Sequence, residues 1–433
     1  MSKDKILLKI DSQAYGGYGV GRHEGRVFFV LDTLEGDLVH VRIEEEKKNF
    51  VFASVIEHVQ YNPLRKKSDC PFEKHCGGCQ WISIDYSKQL EFKQRFLQDS
   101  LKRIAGLKEF PEIQVHQDKP RYYRNRAMFR GTIHEDGRIH VGFMERATHK
   151  QVPIDHCLNV HPQINSFIKF LYTLKTKSRG QKFRLEVQVL PLSEKPLILV
   201  LHSLHGVGSL KDLHRELGSH PQVQHISFAQ ELSKNPIFLF EEKGPLKFHT
   251  SPGAFQQVNL PLNQKARCLI EAFVSTHKIS SILDLFCGSG NLSLPLASPE
   301  RSLKGVEQSP LAIKIAKKNI EVNKIKNADY SCAPAHQFLK NLVNQKSRFD
   351  LIITDPPRKG MKECLDSIMR LKADFLIYMS CDPTTLARDL KVLGSEYRIV
   401  NIHLLDFFPN TYHLESLVFM ERKSSQKEKT QII

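Results

Sequence analysis

The second half of the chain alternates short apolar strands with helices, and this pattern restricts the fold more than any other feature of the sequence. From residue 280 onward the apolar segments SSILDLFC, SLKGVEQ, FDLIITDPP and DFLIYMSC are separated by helical segments such as PLAIKIAKKNIEVNKI and PTTLARDLKVL. Strands that alternate with helices predict an α/β fold with a parallel sheet covered on both faces. The last two segments, YRIVNIHLLDFF and ESLVFMERK, leave little room for a helix between them, so we expect an antiparallel closing pair.

A glycine-containing loop follows the first of these strands. In LDLFCGSGN the strand ends near Asp284, and Gly288 and Gly290 lie in the next turn. Ligands of open α/β sheets bind at the carboxyl ends of strands, where glycine lets the backbone approach them closely. The chain lacks the full G-x-G-x-x-G spacing of dinucleotide-binding proteins and has no P-loop. The next strand ends at Glu307, whose carboxylate suits the ribose hydroxyls of an adenosine. A solvated strand end is the alternative, but the preceding glycine loop favours the ribose contact. With the closing pair, these features are typical of Rossmann-like S-adenosylmethionine-dependent methyltransferases.

A cysteine lies at another strand end, in the segment YMSCDPTTLARDL. Cys381 ends a predicted buried strand, Asp382 is the expected cap of the next helix, and Pro383 is its first residue. The partial positive charge of a helix N-terminus favours a thiolate, whereas the carboxylate of Asp382 opposes it. Cys381 is therefore a candidate nucleophile. We interpret four other cysteines as inert packing residues: Cys268, Cys287, Cys332 and Cys364.

The segment DPPRKG places Asp355 at the carboxyl edge of the sheet. Methyltransferases that act on exocyclic amino groups often carry D-P-P followed by an aromatic residue, which stacks on a base. Here Arg358 follows, and a basic residue suits phosphate. This motif alone leaves the reaction open.

The N-terminal half combines a predicted barrel with a cluster of cysteines. Residues 4 to 60 alternate short β-branched and aromatic runs with glycine-rich turns, which predicts a small antiparallel barrel of the kind that binds oligonucleotides. The segment SDCPFEKHCGGCQW then brings Cys70, Cys76 and Cys79 within ten positions. A metal held by sulfur takes four ligands, so one is missing from this segment. A zinc site with His75 or His156 stays open as an alternative. Residues 85 to 107 predict an amphipathic helix that closes on Gly106.

The composition indicates an intracellular protein with a polyanionic partner. The chain has 433 residues, enough for two or three domains, and 63 basic against 47 acidic residues give a formal charge of +16. Nine cysteines, a charged N-terminus and the lack of a long apolar run predict a reduced, cytoplasmic protein that does not enter a membrane. We also expect a monomer. The polar tail after Met420 is expected to be frayed.

Five motifs in order make the chain resemble the RNA uracil-5-methyltransferase family: FQQVN at 255 to 259, LDLFCGSGN, DPPRKG, SCDP and HLES. The barrel and the three-cysteine segment are similar to those of the subgroup with a TRAM domain and a 4Fe-4S cluster, which modifies 23S rRNA. The resemblance implies that Cys381 is the nucleophile and Glu415 the general base. It also implies an S-adenosylmethionine site, formed by Gln257, Phe286, Asn291, Glu307 and Asp355.

The resemblance further implies a fourth cluster ligand, Cys157, far along the chain from the other three. The relatives carry Asn or Asp after the third strand as the adenine contact, but Pro334 lies near that point here. The domains are then a TRAM barrel at 1–61, a central α+β domain with the cluster at 62–245, and the methyltransferase domain at 246–433. Within the central domain, helix 85–107 is expected to reach the methyltransferase domain.

The implied reaction is covalent, because carbon 5 of uracil is too weak a nucleophile to take a methyl group unaided. Attack of Cys381 on carbon 6 makes carbon 5 nucleophilic, and Glu415 later removes the carbon 5 proton. The target base must leave its stack. Trp81 and the basic aromatic run KPRYYRNRAMFRG are candidate RNA surfaces. The alternatives are the T-loop uridine of tRNA as target, a non-catalytic iron-sulfur RNA-binding protein, and an amino-methylating enzyme.

Overall fold

The computed structural model describes residues 5–146, 148, 150–204, 206–234 and 236–423. Nearly all of the polar tail lies outside the described residues. Within them, no helix is long and apolar enough to cross a membrane.

The N-terminal strands close into a five-stranded barrel in the order β1-β2-β3-β5-β4. Its strands are β1 (Ile6–Ala14), β2 (Tyr18–His23), β3 (Arg26–Leu31), β4 (Leu38–Glu46) and β5 (Phe50–Gln60). Alternate residues point inward, and small aliphatic side chains with Phe28 fill the interior. The predicted barrel is confirmed, but its pairing is not wholly antiparallel, because β5 runs parallel to β3 where it closes the barrel.

A long helix and a short strand connect the barrel to the central part of the chain. Helix α1 (Tyr86–Arg103) begins at its cap Asp85, and β6 (Ile113–His116) follows. The apolar face of α1 packs near the last helix of the chain, and β6 pairs in parallel with a strand of the C-terminal sheet. The predicted helix is thus present, and its packing joins the N-terminal half to the C-terminal sheet.

The central part is a six-stranded sheet with two helices and a following hairpin. The sheet has the order β12-β11-β10-β7-β8-β9. Its elements are β7 (Arg126–Ile133), β8 (Ile139–Met144), β9 (Gln151–Pro153), α2 (Pro162–Leu171), β10 (Gln181–Val189), β11 (Leu197–Ser203), α3 (Lys211–Gly218) and β12 (Val223–Phe228). The hairpin is β13 (Phe238–Lys243) and β14 (Leu246–Thr250). A separate apolar core lies between this sheet and its helices.

The C-terminal part is an eight-stranded sheet with helices on both faces. Its remaining elements are α4 (Leu260–Ser275), β15 (Ser281–Leu285), β16 (Ser302–Glu307), α5 (Pro310–Val322), β17 (Ala328–Cys332), α6 (Ala335–Asn344), β18 (Leu351–Thr354), α7 (Leu365–Leu371), β19 (Phe375–Ser380), α8 (Pro383–Leu393), β20 (Tyr397–Leu405) and β21 (Glu415–Arg422). The strand order is β17-β16-β15-β18-β19-β21-β20-β6. Strands β15 to β19 are parallel, and β21 lies antiparallel between β19 and β20, as predicted. The parallel strands therefore end at one edge of the sheet, where ligands of such folds bind.

Candidate active site

One cavity at the carboxyl edge of the C-terminal sheet brings together six of the seven residues predicted for catalysis and cofactor binding. Its volume is about 500 Å³, and the six that line it are Gln257, Phe286, Glu307, Asp355, Cys381 and Glu415. The seventh, Asn291, lines an adjoining recess of about 40 Å³ that shares Gln257, Phe286 and Asp355 with the main cavity. Residues up to 158 positions apart in the chain thus meet at the ends of neighbouring strands.

The loop after β15 takes the backbone conformation that its glycines permit. Gly288 and Gly290 have positive φ angles of 54° and 87°, and a Cβ at Gly290 would lie 2.4 Å from Leu294 Cδ1. Phe286 also has a positive φ, 60°, which is uncommon for a residue with a Cβ. This strained position turns the chain at the end of β15 and puts Phe286 on the cavity wall.

Two backbone groups orient the carboxylate of Glu307. Its Oε1 accepts a hydrogen bond from the Ser309 backbone N–H at 2.8 Å, and its Oε2 accepts one from the Gly288 N–H at 3.4 Å. Each oxygen keeps further lone pairs for a ligand in the cavity. An acidic acceptor beside a glycine loop fits the ribose of an adenosine cofactor.

The side chain of Asn291 is held by its neighbours. Asn291 and Asn263 exchange two amide hydrogen bonds of 3.0 and 2.8 Å, and the Arg267 Nε donates to Asn291 Oδ1 at 3.1 Å. Arg267 in turn lies 4.6 Å from the ring centre of Phe248. Asn291 is therefore fixed in the wall of the recess by Asn263 and Arg267, which lie outside the LDLFCGSGN segment.

Pro334 caps α6 and lines a neighbouring cavity of about 300 Å³. Phe286 and Gln308 line this cavity and also the main one. The protein therefore has a cavity close to Glu307 and beside Pro334, the position near which the related enzymes carry their adenine contact.

Cys381 lies between the end of β19 and the start of α8, as predicted. The Asp382 carboxylate caps α8 by accepting from the backbone N–H groups of Thr384 and Thr385, both at 2.9 Å. Burial, which the sequence pattern does not show, raises the pKa of Cys381 to about 12. The charge of Glu415 raises this pKa further, whereas Arg358 lowers it. Burial and nearby carboxylates thus outweigh the N-terminus of α8.

Glu415 and Asp355 form a pair of buried acids in the same cavity. Glu415 is 6% exposed, and its Oε2 has no hydrogen-bond partner in the described part of the chain. Burial, and then the charge of Asp355, raise the pKa of Glu415 well above its usual range, and Arg358 opposes them. Burial also raises the pKa of Asp355 to about 7. An unpartnered carboxyl group that faces a cavity is suited to proton transfer with a ligand there.

Arg358 is a residue of the site whose position the sequence analysis missed. It was interpreted as a phosphate contact, but it lines the cavity that holds Cys381 and Glu415. Its positive charge also contributes, after burial, to lowering the pKa of His413 to about 4. The arginine directly after D-P-P was the available signal, since Asp355 already marked this strand end.

The four predicted cluster cysteines line a second cavity, of about 240 Å³, in the central part. They are Cys70, Cys76, Cys79 and Cys157. Burial raises the pKa of each, that of Cys79 to about 12, and the charge of Cys157 raises the other three. The four side chains therefore face a common space.

Hydrogen-bond donors and one cation surround these sulfurs. The Asn159 amide donates to Cys79 Sγ at 3.0 Å, and the Gly78 N–H donates to Cys76 Sγ at 3.4 Å. Arg124, which belongs to the run KPRYYRNRAMFRG predicted as an RNA surface, lies close enough to these sulfurs to lower the pKa of both Cys79 and Cys157. These contacts lower the pKa values of the thiols, but burial is the larger effect and each pKa stays raised.

The arrangement does not form the cage of a single metal ion. No group of three or more His, Cys, Asp or Glu side chains among the described residues is close enough to hold one. His75 and His156 lie beside carboxylates, at 3.9 Å from Glu145 and 2.7 Å from Asp155. The geometry therefore shows neither a zinc site nor the predicted 4Fe-4S site among the described residues.

Several other predictions about surfaces are corrected. Trp81 is not an RNA surface, because it is 1% exposed and packs against Phe92 and Phe96 of α1. In the basic aromatic run, Tyr122 is 44% exposed but Tyr123 is buried. Among the cysteines interpreted as packing residues, Cys287 and Cys364 are buried, whereas Cys268 and Cys332 are exposed.

The sheet order and the site at its carboxyl edge define the chain as an S-adenosylmethionine-dependent methyltransferase. Models of two families match it: tRNA (uracil-5-)-methyltransferase over residues 85–423 and the TRAM domain over residues 4–56. The chain therefore belongs to the RNA uracil-5-methyltransferase family and is an RNA uracil-5-methyltransferase with an N-terminal TRAM barrel.

Relatives match along nearly the whole chain. An uncharacterized RNA methyltransferase of Aquifex aeolicus is 32% identical over 97% of this chain and 100% of its own. The 23S rRNA (uracil(1939)-C(5))-methyltransferase RlmD of Mannheimia succiniciproducens is 30% identical over 96% of this chain and 95% of its own. Among solved structures, the Pyrococcus abyssi tRNA (uracil-54, C5)-methyltransferase in complex with S-adenosyl-L-homocysteine matches 95% of this chain and 100% of its own, with a TM-score of 0.66 and 24% identity. This last match supports the fold.

Proposed function

We propose that this protein methylates carbon 5 of a uridine in 23S rRNA through a covalent bond between Cys381 and carbon 6 of the base. The observation that carries the proposal is the shared cavity. Cys381 and Glu415 line it together with Glu307 and Asp355, so a nucleophile, a base and a cofactor site face one space. An amino-methylating enzyme would have no use for this cysteine.

The proposed steps use the residues as follows. Gln257, Phe286, Asn291, Glu307 and Asp355 hold S-adenosylmethionine, which when bound supplies an electrophilic methyl group. The Cys381 thiol gives its proton to a carboxylate of the cavity, for which Asp355 is the candidate, and the thiolate attacks carbon 6. Carbon 5 thereby becomes nucleophilic and takes the methyl group, with release of S-adenosylhomocysteine. Glu415 then removes the proton from carbon 5, and the bond between sulfur and carbon 6 breaks.

Two substitutions separate the roles of nucleophile and base. Cys381→Ala is expected to bind RNA and cofactor but to give neither product nor adduct. Glu415→Gln is expected to methylate once and stall, because the carbon 5 proton blocks elimination. The stalled enzyme stays bonded to the methylated RNA, so the RNA migrates as a slower band on a denaturing gel. This band should carry label from the methyl group and should disappear after protease treatment. A Glu415→Gln enzyme that turns over like wild type, or an adduct that survives replacement of Cys381, contradicts the mechanism.

The full-length match to the RlmD enzyme of M. succiniciproducens favours 23S rRNA as the substrate. The match to an archaeal tRNA methyltransferase keeps the T-loop uridine of tRNA as the second candidate. Mass spectrometry of rRNA and tRNA from a deletion strain separates the two. Loss of 5-methyluridine from 23S rRNA supports the proposal, and loss from tRNA alone overturns it.

We further propose that Cys70, Cys76, Cys79 and Cys157 hold a 4Fe-4S cluster with a structural and RNA-contacting role. The shared cavity, the sulfur-only donor set and the nearby Arg124 support it, because a positive charge offsets that of the thiolates. Protein purified anaerobically should be brown and contain iron and sulfide in near-equal amounts. Cys157→Ser should lose both, whereas the matched variant Cys268→Ser, at an exposed cysteine, should keep them. Stoichiometric zinc without sulfide contradicts this assignment.

A further inference from the structure

A tyrosine of the TRAM barrel contacts the backbone of the candidate nucleophile. Tyr15 lies in the turn between β1 and β2, and its hydroxyl donates a hydrogen bond to the Cys381 carbonyl oxygen at 3.0 Å. The two residues are 366 positions apart. The barrel therefore reaches the catalytic centre directly.

Two aromatic rings fix the side chain of Tyr15 in this position. Its ring meets that of Phe96 on α1 at 6.2 Å and that of Tyr412 at 5.6 Å, both edge to face. Burial, and then the charges of Asp382 and Cys381, raise the pKa of the Tyr15 hydroxyl. The hydroxyl therefore keeps its proton and remains a donor over the working pH range.

The Cys381 carbonyl receives no partner from the elements on either side of it. The preceding carbonyl, of Ser380, accepts from the Ser416 hydroxyl at 3.1 Å, and the following one, of Asp382, accepts from the Leu386 N–H at 3.1 Å. Cys381 lies after the last paired residue of β19 and before the cap of α8. The bond from Tyr15 thus gives a partner to the carbonyl oxygen of the residue that carries the thiol.

We propose that Tyr15 is a positioning residue for the reaction: its hydroxyl fixes the Cys381 peptide so that the thiol faces the base that enters the cavity. The inference rests on the proposed role of Cys381 as nucleophile. It makes the barrel part of the catalytic centre, because a shift of the barrel relative to the sheet moves this hydroxyl. The effect is on the rate of attack at carbon 6, and it does not require any contact between Tyr15 and RNA.

The test is Tyr15→Phe, which keeps the ring contacts and removes one hydrogen bond. RNA that carries 5-fluorouridine at the target traps the adduct, because fluorine on carbon 5 cannot leave as a proton does. At saturating RNA and S-adenosylmethionine, the rate of adduct formation should fall about two- to tenfold, the effect of losing one hydrogen bond. The affinity for RNA should stay within twofold of wild type, since a positioning role affects the reaction step alone.

Tyr172→Phe is the matched control. The Tyr172 hydroxyl donates to the carbonyls of Val141 and Ile154 at 3.2 and 2.9 Å in the central part, far along the chain from the cavity. This variant also loses a hydroxyl that donates to backbone, and its adduct rate should equal that of wild type. The inference is overturned if Tyr15→Phe forms the adduct at the wild-type rate, or if Tyr172→Phe slows it equally.

Cys381→Ala distinguishes failure of the inference from failure of the proposed function. An adduct that still forms in Cys381→Ala overturns the role of Cys381 and the inference with it. An adduct that depends on Cys381 but is insensitive to Tyr15→Phe overturns the inference alone.

Discussion

Removal of the Glu307 carboxylate is expected to weaken binding of the cofactor product, S-adenosylhomocysteine, by about 5- to 150-fold. The two carboxylate oxygens are already oriented by backbone N–H groups of Ser309 and Gly288, so the acceptor is fixed before the ligand arrives. Hydrogen bonds to a charged acceptor contribute about 1 to 3 kcal/mol in total, and ~1.4 kcal/mol corresponds to a tenfold change in the dissociation constant.

Isothermal titration calorimetry of Glu307→Ala against wild type measures this loss. Glu321→Ala is the matched control, because Glu321 lies on α5 with its side chain 72% exposed and pairs with Lys318 across one helical turn, at 3.3 Å. It should leave the affinity within twofold of wild type. Circular dichroism at 25 °C should show that both variants are folded. A folded Glu307→Ala protein with wild-type affinity would refute the argument that this carboxylate holds the ribose.

Two further predictions concern buried charge. Lys93→Met should lower the free energy of unfolding by about 3 to 5 kcal/mol in chemical denaturation, because Lys93 and Asp406 form an ion pair at 2.5 Å with both side chains 0% exposed. Lys88→Met, at an exposed pair on the same helix, should change it by less than about 1 kcal/mol. Arg358→Gln should raise the pKa of Cys381 above the value of about 12, since Arg358 lowers it. The thiolate fraction then falls at every pH below that value, so alkylation of Cys381 by iodoacetamide at pH 8 should be slower than in wild type, and an equal rate contradicts the assignment.

The sequence was sufficient for the C-terminal sheet because its signals are local. Each parallel strand is a short apolar run, and the cap Asp382 with Pro383 marks the start of α8 within three residues of Cys381. The carboxyl ends of parallel strands lie at one edge of the sheet. Site residues predicted at the ends of different strands were therefore expected to lie close together. Their common cavity follows from the topology.

The errors share a different cause, which is contact between distant parts of the chain. Strand β6 is four residues long and pairs with β20, almost 290 positions away, so no local pattern identifies it as part of the sheet. Trp81 is apolar and lies in a loop, which is compatible with an exposed stacking surface. Only the docking of that loop against α1 buries it. The raised pKa of Cys381 has the same origin, because it results first from burial and then from the charge of Glu415, which lies on another strand.

The charge balance of the cavity bears directly on the proposed mechanism. Burial raises the pKa of Cys381 to about 12 and raises that of Glu415 well above its usual range, yet one must act as a nucleophile and the other as a base. Asp355, with a pKa of about 7, is the acid of the cavity that can accept the thiol proton. Protonation of Asp355 also removes the repulsion that raises the pKa of Glu415. Burial still raises the pKa of Glu415, and the new thiolate adds a negative charge beside it. Arg358, which lowers the pKa of both Cys381 and Glu415, is therefore the residue that favours the ionised form of each.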